Sequence, residues 1–261
     1  MALTDGIIGC WSPSIRGSGY LLPDLARGNH GTLTNMDAGT DWPGATVRGV
    51  SGRVVDYDGT NDFVNCGTNL NPALTGPLTI SFWGAFRTRN ATTTLIGNIA
   101  SDGNNGLALA IGVTANKLTW VQNGASFDAT STGTITDANW HHVALTRSGA
   151  TGSWTITFAI DGVFSAHTTA ANPPAASLNG TLSIGRPGSY NGNYANAQIA
   201  ETALYQRALT QPEVLELFRR GNGAIGRELT GQTRRRVYGF VPAGFKAYWA
   251  RRQNQIIGGG V

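Results

Sequence analysis

Ser153-Trp154-Thr155-Ile156-Thr157-Phe158-Ala159-Ile160-Asp161-Gly162-Val163-Phe164-Ser165-Ala166-His167 is the stretch whose period decides the fold class. Trp154, Ile156, Phe158 and Ile160 recur at every second position, the period of a strand with one buried face. Asp161-Gly162 then supplies two residues suited to the positive φ angles of a tight hairpin turn, and a second strand resumes at Val163. The same alternation puts Leu78, Ile80 and Phe82 on one face of 78–83. Shorter strand candidates are 7–11, 53–57, 63–66, 93–99, 107–113, 117–122, 140–146, 182–184 and 198–205. Roughly a dozen strands with turn signals between them predict an all-β sandwich or jelly roll.

Composition agrees. A chain of 261 residues with 41% hydrophobic residues can bury a core, while 13% charged residues and 36 glycines disfavour long exposed helices and coiled coils. No apolar run approaches the ~20 residues that span a bilayer, so no membrane is expected. The opening Met1-Ala2-Leu3-Thr4-Asp5-Gly6 lacks the basic and apolar regions of a secretory signal, which predicts synthesis in the cytoplasm. Cys10 and Cys66 match neither a metal-binding pair nor a disulfide framework and read as free buried thiols. One helix stands out: Thr210-Gln211-Pro212-Glu213 is a capping box with an early proline, Val214, Leu217 and Phe218 share a face, and Gly221 is the stop. Arg219 and Arg220 in its last turn suit the negative end of the helix dipole.

Several segments, in order, resemble the laminin-G-like branch of the concanavalin A-like lectin/glucanase jelly rolls. They are 6–11, 24–33, 56–64 (Asp-Tyr-Asp-Gly-Thr-Asn-Asp-Phe-Val), 78–83, Trp140-His141-His142-Val143-Ala144, Ile160-Asp161-Gly162, Ile184-Gly185 and Ile199-Ala200-Glu201. The resemblance covers roughly residues 6–221 and implies two packed antiparallel sheets of about six or seven strands each, closed by the short helix. Domains are expected at 1–226 (sandwich) and 227–261 (an extended anchoring tail).

Function must be argued from sites, because one fold serves many functions. Glycosidase relatives place two catalytic carboxylates on one strand in an ExDxE-like pattern. This chain has only Glu201, Glu213, Glu216 and Glu228, and Glu213 and Glu216 are read as lying on the helix's solvated face. It also lacks a nucleophile elbow and phosphate-binding glycine loops, so no enzyme is expected. His141 and His142 are neighbours on a strand, point to opposite faces and cannot share one metal without distortion. Asp56, Asp58 and Asp62 with Asn61 read as a self-capping turn rather than a cation site.

In relatives with a DxSGxGNxG-like loop, calcium is held by the loop and by an acid near the final strand. The resemblance carries this to Asp24, Asn29 and Glu201 as a structural calcium site. Ala26 stands where the pattern has Ser and Arg27 adds positive charge, leaving open the alternative of a turn held by Asp24 hydrogen bonds alone. Tyr190, Asn191, Asn193 and Tyr194 form a candidate glycan-binding loop, with rings to stack on a sugar and amides to bond its hydroxyls.

Residues 1–218 hold 10 Lys+Arg against 14 Asp+Glu, whereas 219–261 hold 9 against Glu228 alone. Arg234, Arg235, Arg236, Arg251 and Arg252 are interleaved with Tyr238, Phe240, Phe245, Tyr248 and Trp249, a mixture that marks protein interfaces more than solvated basic arms. The tail is therefore read as partner-binding, with nucleic acid disfavoured. A lectin-like sandwich with a short anchoring tail resembles virion proteins of tailed bacteriophages. The expected function is a non-enzymatic virion accessory protein, decorating the capsid or associated with the tail. It is made in the host cytoplasm, attached through its tail to a virion protein, and displays a sandwich that binds host or environmental glycans. The alternative is a free extracellular carbohydrate-binding or adhesion module, and a homo-oligomer stays open.

Overall fold

The computed structural model describes residues 2–103, 105–122, 126–150, 153–170 and 178–231. The chain divides into a unit Met1–Gly231 and a unit Gln232–Val261. The second unit, with every candidate partner-binding residue from Arg234 to Arg252, lies outside the described residues.

In chain order the first strands are β1 (Ile7–Trp11), β2 (Leu21–Leu22), β3 (Gly31–Thr34), β4 (Gly44–Val47), β5 (Val50–Arg53), β6 (Val55–Asp58) and β7 (Phe63–Asn65). A 3-10 turn at Asn71–Thr75 leads to β8 (Leu78–Phe86), β9 (Thr93–Gly97), β10 (Leu107–Ile111), β11 (Leu118–Gln122) and β12 (Ser126–Thr130). The last strands are β13 (Trp140–Ala150), β14 (Ser153–Ile160), β15 (Val163–Ala170), β16 (Ser183–Ile184), β17 (Asn196–Ile199) and β18 (Thr202–Tyr205), and helices α1 (Gln211–Arg220) and α2 (Ala224–Leu229) follow.

These strands build an antiparallel two-sheet sandwich. The first sheet runs β1-β18-β8-β13-β14-β15, with β17 joining β6 to β8, and the second runs β12-β11-β10-β9-β16-β7-β3-β2. Between them lies a continuous apolar core that includes Trp11, Tyr57, Phe82, Phe86, Trp120, Trp154 and Phe158. The Asp161-Gly162 turn takes φ of 51° and 79°, as a two-residue hairpin requires. The Thr210–Glu213 capping box forms, and α1 ends at Gly221 with φ 75°. Cys10 and Cys66 are free and buried.

The structure departs from simple alternation in the first sheet. Strand β8 was expected to be half-buried, yet Thr79, Ser81 and Trp83 are as buried as Leu78, Ile80 and Phe82. The reason is a second apolar layer outside this sheet, where Leu209, Val214 and Leu217 of α1 and its lead-in, with Ile225 of α2, pack over Ala144, Ala159 and Ala203. Small side chains on the sheet let the helices approach closely. The expected strand 198–205 is two strands, broken at Ala200-Glu201. Helix α2 straddles residue 226 and carries the sandwich unit on to Gly231. Glu213, read as solvated, pairs with Arg207 at 2.8 Å and closes the capping box.

Arg147 on β13 is fully buried between the sheets. Its Nη1 donates to Gln122 Oε1 on β11 at 2.8 Å, its Nε to the Gly76 carbonyl at 3.2 Å, and its Nη2 to the Leu74 and Gly76 carbonyls. The guanidinium centre lies 4.8 Å from the Trp154 ring centroid and 5.9 Å from that of Trp120. Burial lowers its pKa to about 10, so it stays charged at neutral pH. Arg147→Ala strands three acceptors in the core and is expected to destabilise the fold by about 3 kcal/mol or more. Arg147→Lys keeps the charge but loses the planar fork and falls between the two. Urea midpoints of the three proteins check this order.

Candidate functional site

A cavity of about 400 Å³ lies on the outer face of the second sheet. Strand β10 explains its floor. Leu107, Leu109 and Ile111 point into the core, so Ala108 and Ala110 point outward, where their small side chains leave space. Val121 of β11 and Ile99 join Ala108 in a separate apolar patch. Thr92 and Thr94 form one wall, and Asp102, Gly103, Pro187, Tyr190 and Asn193 form the rim.

Two loops hold that rim. Ile99 N–H donates to the Pro187 carbonyl at 2.6 Å, Ser189 N–H to the Ile99 carbonyl at 2.8 Å, and Thr94 N–H to the Asn193 carbonyl at 2.7 Å. Gly188 is required here: its φ is 122°, and a Cβ would sit 2.5 Å from the Ile99 nitrogen. Below, buried Asn98 accepts from Leu107 N–H at 2.9 Å and donates to Asn71 Oδ1 at 3.1 Å. The Asn71 amide donates in turn to the carbonyls of Leu178 and Gly180. The rim therefore rests on a closed amide network rather than on loop composition. Tyr190 is 41% exposed. Of the candidate glycan residues, Tyr190 and Asn193 border the cavity, whereas Asn191 and Tyr194 do not. Thr94, Asp102, Ala108 and Ala110 were not singled out from sequence, although the large-small alternation of 107–111 is a signal that could have found the floor.

The proposed calcium residues are placed differently. Asp24 is buried, and its carboxylate accepts four N–H groups: Cys10 at 2.7 Å and Ala26 at 2.9 Å on Oδ1, Arg27 at 3.1 Å and Asn29 at 2.9 Å on Oδ2. The Asn29 carbonyl accepts from Trp11 Nε1 at 3.0 Å. Glu201 is also buried and accepts from Gly226 N–H at 2.7 Å, at the N-terminus of α2. Among the described residues no three His, Cys, Asp or Glu side chains are grouped to hold a metal. As placed, the donors do not fit a calcium ion, because both carboxylates already face amide hydrogens.

His142 is buried with Nε2 3.0 Å from Ser81 Oγ, and burial lowers its pKa to about 4. His141, on the other face, lies between Asp161 (2.7 Å) and Asp137 (3.0 Å), and the Asp161 hydrogen bond raises its pKa. Asp56 and Asp58 lie on β6, and the turn that follows is capped by Asp58 N–H donating to Asp62 Oδ2 at 3.1 Å and Thr60 N–H to Asp58 Oδ1 at 2.7 Å. Asp56 instead pairs with Arg87.

A lectin-like antiparallel sandwich with an open, hydroxyl-lined cavity on one outer face defines the class. The chain matches the laminin G model of the concanavalin A-like lectin/glucanases superfamily over residues 58–215 and belongs to that family. No curated protein matches it in sequence. Among solved structures, Trypanosoma rangeli sialidase in complex with sialic acid is similar at 18% identity and TM-score 0.58, over 82% of this chain and 32% of the sialidase chain. The botulinum neurotoxin serotype C1 binding domain is similar at 14% identity and TM-score 0.58, over 83% of this chain and 52% of that one. The binding domain of botulinum neurotoxin DC in complex with SialylT is similar at 16% identity and TM-score 0.55, over 84% and 52%. The chain thus spans about a third to a half of these neighbours' lengths, and identities this low show the fold alone.

The sialidases correct one expectation. Exclusion of catalysis rested on the missing pair of strand carboxylates, but sialidases use a tyrosine nucleophile and are exceptions to the two-carboxylate scheme. Enzymes therefore stand among the structural neighbours, and the non-enzymatic reading is withdrawn.

Glu201 generates a pH test. Burial raises its pKa from 4.5 to about 7, against the opposing pull of the Gly226, Ile225 and Ala224 amides. The folded chain therefore holds an extra proton between those values. Stability contributed by this group is present below pH 4.5 and lost as pH rises through 7, by at most about 3 kcal/mol. Glu201→Gln is expected to remove that slope and leave a constant offset. Urea titrations of both proteins from pH 4.5 to 8 measure it.

Proposed function

We propose that this chain is a glycan-binding module and serves as an accessory protein of a bacteriophage particle, at the capsid or the tail. The cavity on the second sheet carries the first half of the reading. It combines a flat apolar floor, an exposed tyrosine and hydroxyl, amide and carboxylate groups around the rim, the mixture that a pyranose with one apolar face and several hydroxyls requires. The neighbours' complexes with sialic acid and SialylT support it as saccharide complexes of proteins that contain this fold over a third to a half of their length.

The second half rests on sequence. The excess of arginine with interleaved aromatics after residue 219 suits an anchor that buries its rings on a partner protein while pairing its charges. Under this reading the protein resides in the virion, and its partners are a virion protein and a host or environmental glycan.

Two experiments test the halves separately. Tyr190→Ala is expected to weaken glycan binding about tenfold, a loss of roughly 1.4 kcal/mol, with an unchanged melting temperature. Binding found on a glycan array and unaltered by this change would move the site elsewhere. Deleting residues 233–261 is expected to leave the sandwich folded and to abolish co-purification with particles. Normal occupancy by the truncated protein would refute the anchor, and absence of the full chain from purified particles would favour a free extracellular module.

A further inference from the structure

We infer that the cavity on the second sheet selects uncharged pyranosides and discriminates against sugars bearing a carboxylate, sialic acid included. This rests on the glycan reading above and narrows its ligand class. The argument is one of charge. Among the described residues lining the cavity, the only charged side chain is Asp102, and no lysine or arginine is present. Asp102 is steadied at the rim by the Asn105 amide, which donates to its carboxylate at 3.3 Å.

An anionic sugar needs a positive partner, best a planar guanidinium that grips the carboxylate with two hydrogen bonds. The Arg186 guanidinium centre lies 3.6 Å from the Phe63 ring centroid, and Arg89 donates to the Phe86 and Thr136 carbonyls. Neither lines the cavity. A carboxylate brought into it would instead meet Asp102.

For a neutral pyranoside the same residues are suited to their task. Ala108, Ala110 and Val121 present an apolar floor for the C–H face of the ring, and Tyr190 offers an aromatic wall. The Thr92 and Thr94 hydroxyls and the Asn193 amide can donate or accept, and the Asp102 carboxylate can accept from two adjacent sugar hydroxyls. Between like charges several ångströms apart in a half-solvated site, repulsion corresponds to roughly tenfold in affinity at low salt.

The test uses matched pairs that differ only in the carboxylate. Methyl glycosides of glucose, galactose and mannose, their uronic acid counterparts, and methyl sialoside are titrated into the isotopically labelled full chain at low salt, with amide shifts of Thr94, Ala108, Ala110 and Tyr190 as the readout. At least one neutral glycoside is expected to shift these amides, with its uronide binding about tenfold more weakly. In Asp102→Asn that gap should close. A uronide or sialoside that binds as well as or better than its neutral counterpart overturns the inference while leaving glycan binding intact. If no sugar shifts these amides, the glycan reading of the cavity fails and this inference fails with it.

Discussion

A guanidinium held between two sheets is the constraint on which the sandwich depends. Arg147 bonds to β11 through Gln122 and to the 3-10 turn through the Leu74 and Gly76 carbonyls, so one side chain joins both sheets and the crossing segment that leads into β8. A cation in a core is costly unless every donor is satisfied, and here carbonyls, an amide and two indole faces satisfy it. The cost also selects register. Arg147 sits opposite Leu78 on β8 and Ile156 on β14, and a slip by one residue would turn its charge to the outer face and bring Thr146 inward. Hydrophobic alternation alone could tolerate some slippage in the alanine- and threonine-rich outer positions of β13. The arginine's fixed acceptors cannot.

The two outer faces then have different fates. On the first sheet, Ala144, Ala159 and Ala203 lie under α1 and α2, and the helices bring their own apolar residues to complete a second core. On the second sheet, Ala108 and Ala110 have the same small size but face the cavity. Alanine pairs on an outer face therefore carry two meanings, close packing or open space. The deciding factor is whether a helix returns to that face. The helices follow β18, which belongs to the first sheet, so their cover falls on the first sheet and the opening is on the second.

The parts of this arrangement legible in the sequence are local ones. The 153–167 hairpin needs only a period of two and an Asp-Gly turn, and the Thr210–Glu213 cap needs only a spacing of three. Both are present. Elements set by distant partners were not legible. Strand β2 is two residues long and exists because β3 supplies its hydrogen bonds. The resemblance assigns Glu201 to a metal, and the sequence gives no sign of the α2 amides it accepts from, because α2 has a glycine at residue 226 and little amphipathic pattern. The cavity unites Thr94 and Ala108, on the paired strands β9 and β10, with Tyr190, which the loops stitched by Ile99, Pro187 and Ser189 bring to them. Tyr190 and Asn193 were recognisable as sugar-binding types, yet nothing local separated them from Asn191 and Tyr194.

Charge is distributed across the sandwich in a way that separates its stability from its binding surface. His142 and Glu201 both line a void of about 10 Å³ beneath α1, room for about one water, together with Ser81 and Trp83. Burial lowers the histidine's pKa to about 4 and raises the glutamate's to about 7, so between those values both groups favour the neutral form. Acidification below 6.5 works against His142, while rising pH through 7 works against Glu201, and the helical cover is opposed from both sides. The cavity on the second sheet lies on the far side of the core. The two linings share no residue, and the loops at the rim are joined by the Ile99, Ser189 and Thr94 amides, which do not titrate.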